Sequence, residues 1–157
     1  VPVILMHMRG EPRSMQVAPR YDDLVGEIYS FLQEAADVAE RRGIARERLI
    51  VDPGIGFGKT GEHNLQLVRR LADFAGLDLP LLVGPSRKSF IRRLVQPAGE
   101  PDIAPDQPVV ETGTQAAVAA SVFNGAHIVR VHDVANTVAT VNVVDAILNS
   151  GSTPRIH

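Results

Sequence analysis

Residues 49–61 read Leu-Ile-Val-Asp-Pro-Gly-Ile-Gly-Phe-Gly-Lys-Thr-Gly, an apolar run that ends in a carboxylate and continues into a glycine-rich loop. The run at 49–51 predicts a strand that ends at Asp52, because parallel strands buried on both faces are apolar throughout. The loop at 54–61 holds four glycines, which is typical of a tight turn with positive φ angles. Apolar side chains then recur at helical spacing and predict a helix over 62–74.

The same order of strand, loop and helix occurs four times along the chain. The predicted strands cover residues 3–8, 49–51, 79–83 and 126–131, and the predicted helices cover residues 21–42, 62–74, 89–94, 112–124 and 135–148. Ser86 is the expected N-cap of the third helix. Residues 95–110 contain four prolines and no periodicity, so we expect a mobile surface loop there. The polar residues 151–157 are expected to form a frayed tail.

Alternating strands and helices fit either a doubly wound sheet or part of a (β/α)8 barrel. Polar side chains follow each of the four strands: His7, Arg9, Asp52, Arg87, Lys88, Arg130 and His132. Functional groups follow many strands in a barrel but gather at one switch point in an open sheet, so the barrel is favoured. A complete barrel takes about 250 residues. We therefore expect an α/β chain whose residues 1–150 form the C-terminal half, strands five to eight, of a (β/α)8 TIM barrel.

The start of the chain and its composition indicate what kind of protein this is and exclude several functions. Residues 1–6 are already apolar and lack an initiator methionine, so we expect a fragment of a longer chain. Sixteen Lys and Arg residues against eighteen Asp and Glu residues argue against binding nucleic acid or anionic membranes by bulk charge. The absence of cysteine excludes disulfides, thiolate zinc sites and cysteine nucleophiles. With no export signal and no run of about 20 apolar residues, we expect a cytoplasmic location.

The glycine-rich loop matches two nucleotide-binding patterns only weakly. Residues 58–60 fit the end of a P-loop, but Pro53 stands where its first glycine should be. Residues 56–61 fit G-x-G-x-x-G, but the next predicted strand does not end in an acidic residue. The alternative is a purely structural tight turn, which leaves Asp52 unexplained. A carboxylate at a strand end can accept two N–H donors from one planar heterocycle, and we favour a ligand-binding role for Asp52.

Two other strand ends carry groups suited to anions. Residues 86–89, Ser-Arg-Lys-Ser, place two cations and two hydroxyls where a helix begins, which favours a carboxylate or phosphate site over a merely capped helix. Alternation places Arg130 and His132 on the same face, where such groups are costly to bury without an anion. The alternative is an internal ion pair between Arg130 and Asp52. No H-E-x-x-H motif or spaced carboxylate cluster indicates a metal held by the protein.

These motifs resemble those of the dihydropteroate synthase family. Residues 6–10, Met-His-Met-Arg-Gly, followed by Pro12 and residues 15–16, Met-Gln, resemble that family's fifth-strand segment. The motifs of its sixth, seventh and eighth strands are similar to residues 52–59, 86–89 and 130–133, in the same order. The resemblance implies a (β/α)8 barrel and a transferase of folate biosynthesis. That reaction joins 6-hydroxymethyl-7,8-dihydropterin pyrophosphate to p-aminobenzoate, giving 7,8-dihydropteroate and pyrophosphate. Sulfonamides compete for the aminobenzoate site.

The resemblance also assigns roles to individual residues. It implies that Asp52 binds the pterin ring N–H groups, that Lys88 hydrogen-bonds the ring, and that Met8 packs on it. Arg130 and His132 are expected to hold the pyrophosphate, and with Lys88 they form the expected catalytic set.

Further expectations concern the second substrate, the cofactor and the assembly. The ring of Phe57 and the stem of Lys88 are expected to flank the aminobenzoate, whose carboxylate meets the backbone N–H of Ser89. The resemblance implies Mg²⁺ bound with the pyrophosphate, through ligands expected mainly in an N-terminal half absent here. It further implies a homodimer when the barrel is complete, and the fragment alone is expected to be inactive.

Two other functions remain open at this point. One is the pterin-binding barrel of a corrinoid methyltransferase, which shares the fold but has no aminobenzoate for residues 86–89 to hold. The other is a non-catalytic half-barrel that serves in association. The intact Lys88, Arg130 and His132 argue against such a decayed site.

Overall fold

The structure is a computed structural model that describes residues 1–10, 19–99 and 102–151. The strands are β1 (Val3–Met6), β2 (Leu49–Asp52), β3 (Leu82–Val83) and β4 (Ile128–Val129). The helices are α1 (Leu24–Arg41), α2 (Gly61–Arg69), α3 (Ser89–Val95), α4 (Pro108–Phe123) and α5 (Val134–Leu148), with 3-10 turns at Arg46–Arg48 and Leu71–Leu77. Strand and helix therefore alternate as the sequence predicts.

The strands are parallel and follow one another in chain order. β1 pairs with β2, so that Met6 lies opposite Asp52, and β3 pairs with β4. A single parallel bridge between Val51 and Leu81 connects the two pairs. The order β1-β2-β3-β4 is that of a barrel wall and lacks the reversal of a doubly wound sheet. All four strands consequently end at one edge, where Asp52 and the residues after β4 meet.

Helix α1 supplies much of the core behind β1 and β2. The carboxylate of Asp23 caps it by accepting the N–H of Gly26 at 3.1 Å. Its buried side chains are Leu24 and then, at intervals of three or four residues, Val25, Ile28, Leu32, Ala36 and Ala39. They join the buried strand residues and Phe74 of the second 3-10 turn in one hydrophobic cluster. This packing fixes the strands whose ends carry the polar groups.

Several predicted boundaries are wrong for identifiable reasons. Lys88, and not Ser86, is the residue before α3, and it makes no side-chain capping bond. Helix α4 begins at Pro108, inside the predicted loop, because proline fits the first helical turn, where no N–H is needed. Helix α2 ends at Arg69 and gives way to the 3-10 turn at Leu71–Leu77, so the predicted helix over 62–74 is only partly α-helical.

The later strands are also shorter than predicted. β3 and β4 have two residues each, so Arg130 and His132 lie beyond the end of β4. The predicted tail at 151–157 lies outside the described residues from 152 onward, as do residues 100 and 101 of the predicted loop. In the described ranges, none of the helices is both long and apolar enough to cross a membrane.

Candidate active site

Asp52 is the centre of the polar edge formed by the strand ends. Its side chain is almost fully buried, with 1% of the residue exposed, and Oδ1 accepts the N–H of Gly54 at 2.7 Å. Oδ2 lies 3.8 Å from Nη2 of Arg130 and accepts no hydrogen bond from the described residues. Burial raises the pKa of Asp52, against the Gly54 N–H and the charges of Arg130, Lys59 and Lys88. The site thus holds a buried carboxylate with one oxygen that has no hydrogen-bond donor among the described residues.

The loop after β2 approaches its neighbours so closely that two positions require glycine. Gly54 has φ 73°, and a Cβ there would overlap the carbonyl oxygen of His7. Gly56 has φ 81°, and a Cβ would lie 2.8 Å from Cδ of Lys88. Buried Asn64 fixes this loop, since its Oδ1 accepts the Gly56 N–H at 2.7 Å and its Nδ2 donates to the Thr60 carbonyl at 2.7 Å. The glycines therefore let the loop lie against β1 and Lys88, as the tight-turn interpretation predicts.

A buried lysine beneath this loop is a feature that sequence reasoning missed. Lys59 is 3% exposed, and its Nζ donates to the Phe57 carbonyl at 3.0 Å and lies 3.1 Å from Nδ1 of His7. Burial lowers the pKa of Lys59 to about 7, although the charge of Asp52 opposes the shift. Burial, helped by the charge of Lys59, lowers the pKa of His7 to about 4. His7 is therefore a buried histidine whose charged form is disfavoured and whose Nδ1 is in hydrogen-bond contact with Lys59.

Lys88 and Phe57 face each other at the mouth of the site. Nζ of Lys88 lies 3.9 Å from the centre of the Phe57 ring, a cation–π contact. Burial and then the charge of Arg130 lower the pKa of Lys88, and the carboxylate of Asp52 opposes them. The structure thus brings Lys88, Phe57, Arg130 and Asp52 together from three separate strand ends.

His132 is held by Ser86 from the neighbouring strand end. Ser86 is 5% exposed, and its Oγ lies 2.8 Å from Nδ1 of His132. The backbone N–H of His132 also donates to this Oγ, at 3.3 Å. Both residues line a cavity of about 640 Å³, whose other lining residues are Arg87, Lys88, Pro105 and Asp106.

Arg87, one of the two cations of the predicted anion site, lies beside the carboxylate of Glu111. It has φ 59°, a left-handed conformation that non-glycine residues adopt at a cost, and its N–H donates to Oγ1 of buried Thr114 at 3.1 Å. Its Nε lies 3.5 Å from Oε2 of Glu111 on α4. Helix α4 therefore fixes the turn between β3 and α3 and draws the Arg87 side chain toward itself.

The remaining predicted residues are placed at the rim. Met8 is half-buried, two residues beyond β1, and Ser89 is the exposed first residue of α3. The Arg130 side chain is 55% exposed and lies near Asp52, as the ion-pair alternative predicts, although 3.8 Å is a long separation for such a pair. Within the residues that the structure describes, no group of three His, Cys, Asp or Glu side chains could hold a metal ion.

The structure is a barrel wall that gathers a buried carboxylate, cations and an aromatic ring at its strand ends. Residues 1–132 match the family described as pterin binding enzyme, and the chain belongs to that family. It is 44% identical to the dihydropteroate synthase of Escherichia coli K12, over 99% of this chain and 52% of that protein. It is 45% identical to the Synechocystis dihydropteroate synthase, over 93% of this chain and 48% of that protein.

Solved structures of dihydropteroate synthases are also similar to this chain. The Yersinia pestis dihydropteroate synthase with a sulfonamide drug complex is 41% identical, with a TM-score of 0.88, over 95% of this chain and 52% of that chain. The Xanthomonas albilineans enzyme in complex with 7,8-dihydropteroate is 39% identical, with a TM-score of 0.83, over 98% of this chain and 53% of that chain. The chain thus spans about half the length of these relatives. The predicted resemblance and the predicted α/β half-barrel are confirmed.

Proposed function

We propose that this chain forms the pterin-binding half of a dihydropteroate synthase. The observation that carries the proposal is the buried Asp52, whose Oδ2 accepts no hydrogen bond from the described residues and lies near the charges of Arg130 and Lys88. In the proposed reaction the amine nitrogen of p-aminobenzoate forms a bond to the methylene carbon of the pterin. The bond from that carbon to the pyrophosphate oxygen breaks, pyrophosphate leaves with the bonding electrons, and the amine loses a proton.

Asp52, Lys88 and Met8 are proposed to hold the pterin. Oδ2 of Asp52 accepts ring N–H groups, a contact that ionised carboxylates make at roughly twice the strength of a neutral hydrogen bond. Lys88 donates to the ring from the opposite loop, and its lowered pKa fits an ammonium group shielded from water. The half-buried Met8 packs on the ring with its polarizable thioether.

Arg130 and His132 are proposed to hold the pyrophosphate, with catalysis by these two residues and Lys88. Negative charge grows on the leaving group as the carbon–oxygen bond breaks, and preorganised donors at that point lower the barrier. The exposed guanidinium of Arg130 and the His132 imidazole lie within reach of solvent-borne anions at the same edge.

The second substrate is proposed to lie between Phe57 and the stem of Lys88. Nζ of Lys88 lies over the Phe57 ring in this structure, so the ammonium must move off the ring for a flat benzoate ring to meet the aromatic face and the methylenes. As the first residue of α3, Ser89 has a backbone N–H that precedes the first intrahelical hydrogen bond and can receive the carboxylate. Sulfonamides are proposed to compete there, in keeping with the drug complex of the Yersinia pestis relative.

The proposal includes Mg²⁺ bound with the pyrophosphate, but the described residues do not fit that ion. Asp52 is buried, bonded to Gly54 and faced by Arg130, so the site lacks the several oxygen ligands that Mg²⁺ prefers. We therefore assign its ligands to residues outside this chain and route no step through it. We also propose that the complete barrel forms a homodimer. A cytoplasmic location is proposed because the charged pyrophosphate substrate does not cross membranes unaided.

A half-barrel supplies only part of such a site, so the 157 residues alone are proposed to be inactive. The relatives that the chain matches are named dihydropteroate synthase, which favours this function over a corrinoid methyltransferase. Incubating the full-length gene product with the pterin pyrophosphate and p-aminobenzoate tests the choice. Pteroate and pyrophosphate are expected in equal amounts. Methyl transfer from a methylated pterin, with no pteroate formed, would contradict the proposal.

A further inference from the structure

Ser86 and His132 are joined by two hydrogen bonds that involve the same oxygen. The backbone N–H of His132 donates to Oγ of Ser86 at 3.3 Å, and this Oγ lies 2.8 Å from Nδ1 of the same histidine. The two residues lie 46 positions apart, one after β3 and the other after β4. The contact therefore links the two strand ends that carry the proposed anion-binding groups.

The backbone bond leaves the Ser86 hydroxyl proton available for the contact with Nδ1. A serine hydroxyl has one proton and two lone pairs. Because Oγ accepts the backbone N–H, its proton is free to point toward the acceptor 2.8 Å away. If Nδ1 donated instead, the proton of the buried Ser86 hydroxyl would have no acceptor among the described residues. A neutral imidazole has one donor nitrogen and one acceptor nitrogen, so an Nδ1 that accepts leaves the proton on Nε2.

The charged residues next to His132 and Ser86 in the chain have partners of their own. The carboxylate of Asp133, next to His132, accepts the N–H and the side-chain Nδ2 of Asn136 at the start of α5. Arg87 is drawn toward Glu111 on α4 and has its N–H on Thr114. Within the described residues, Ser86 is the only hydrogen-bond partner of the His132 ring.

We propose that Ser86 is a positioning residue that keeps His132 in its Nε2–H form, so that Nε2 donates to an oxyanion. The inference rests on the proposed function only in naming that anion as the pyrophosphate leaving group. A phosphate oxygen without a proton can only accept, so an imidazole that presented a bare Nε2 would repel it. The next residue in the chain, Arg87, has a left-handed backbone conformation. Its N–H donates to Oγ1 of Thr114, and this bond fixes the backbone beside Ser86.

The test uses the full-length protein with ¹⁵N-labelled histidine, and the ring signals of His132 are assigned by their loss in His132→Gln. At a pH where the spectra show a neutral ring, we expect the proton on Nε2. In Ser86→Ala the ring is expected to exchange between both neutral forms, and Ser86→Thr is expected to retain the Nε2–H form. Inorganic pyrophosphate should bind roughly two- to tenfold more weakly to Ser86→Ala, the loss of one neutral hydrogen bond.

Ser121→Ala is the matched control. Ser121 is a fully buried serine on α4 that donates to the Ala117 carbonyl, so its loss removes a hydroxyl without touching the ring. A proton on Nδ1 in the wild type overturns the inference, even if Ser86→Ala fails to fold. An unchanged His132 spectrum in Ser86→Ala also overturns it. Pyrophosphate binding that is unaffected in His132→Ala instead overturns the leaving-group role proposed above, while the ring spectra still decide the role of Ser86.

Discussion

The ammonium nitrogen of Lys59 lies 3.1 Å from Nδ1 of His7, and both residues are buried. The contact ties the loop after β2 to the end of β1. The same ammonium holds the Phe57 carbonyl at 3.0 Å, so it also fixes the residue whose ring meets Lys88. A buried pair beneath the site thus supports the side chains proposed to bind both substrates.

This pair predicts that the protein loses stability in mild acid. The pKa of His7 falls from 6.5 in the unfolded chain to about 4 in the folded one. Between these pH values the unfolded state binds more protons, so the contribution of His7 to stability is complete above pH 6.5 and is lost as the pH drops toward 4. The loss is on the order of 3 kcal/mol. Urea unfolding of the full-length protein at pH 7 and pH 4.5 measures it, and His7→Gln should show a smaller difference.

Lys59→Met provides an independent check that the lowered pKa of His7 causes the loss of stability in acid. Removing the ammonium relieves one of the charges that lower the pKa of His7, so this pKa should rise toward 6.5 in the folded state and the stability lost between pH 7 and pH 4.5 should become smaller. An acid transition at the same pH in His7→Gln and wild type would contradict the assignment to His7.

Gly56→Ala is expected to disturb substrate binding through Lys88. Gly56 has φ 81°, and an added Cβ would lie 2.8 Å from Cδ of Lys88. The strained conformation alone costs about 1–3 kcal/mol, and displacement of Lys88 should weaken binding of both pterin and aminobenzoate. Gly61→Ala is the matched control, because a Cβ there meets nothing within 4 Å. Equal affinities in the two variants, measured by calorimetry, would show that the close approach does not position Lys88.

Arg130→Ala and His132→Ala are expected to harm the pyrophosphate step in particular. Each removes a charged or polar contact to the leaving group, worth roughly 1.5–3 kcal/mol, so kcat/KM should fall about tenfold or more. A hydroxymethyl pterin without pyrophosphate should bind both variants almost normally. Equal loss of that pterin would instead favour a structural ion pair between Arg130 and Asp52.

The 157-residue chain expressed alone is expected to associate. Ile4 on β1 and Ile128 on β4 are 47% and 36% exposed, at the two unpaired edges of the described sheet. Val134 and Val143 on α5 are 62% and 60% exposed, which adds apolar surface rarely left open on a soluble monomer. Light scattering should give a mass above that of one chain, without pteroate synthesis. A stable, active monomer would refute both this expectation and the proposed inactivity of the half-barrel.

The polar strand ends could be predicted because their residue types stand out against apolar surroundings. Asp52 follows three aliphatic residues, so its place at the end of a buried strand was readable from the sequence. The order of four such ends also distinguished a barrel wall from a doubly wound sheet, and the strand pairing agrees.

Other features depend on contacts between distant segments. Ser86 has the sequence signature of a helix cap, but its hydroxyl is hydrogen-bonded to His132, 46 residues away, and not to the backbone at the start of α3. Lys59 sits in a glycine-rich loop, where lysines are usually solvated, and only the fold buries it under His7. Pro108 was interpreted as a loop residue, although proline is equally suited to the first turn of α4.

The central claim is that the buried carboxylate of Asp52 binds the pterin, and calorimetry on Asp52→Asn in the full-length protein tests it most directly. The amide keeps one acceptor but sets a donor against the ring N–H groups, so a charge-assisted bond worth roughly 1.5–3 kcal/mol is lost. We predict pterin binding about ten- to a hundredfold weaker, with an unchanged fold by circular dichroism. Pterin binding equal to that of the wild type would contradict the claim and remove Asp52 from the site.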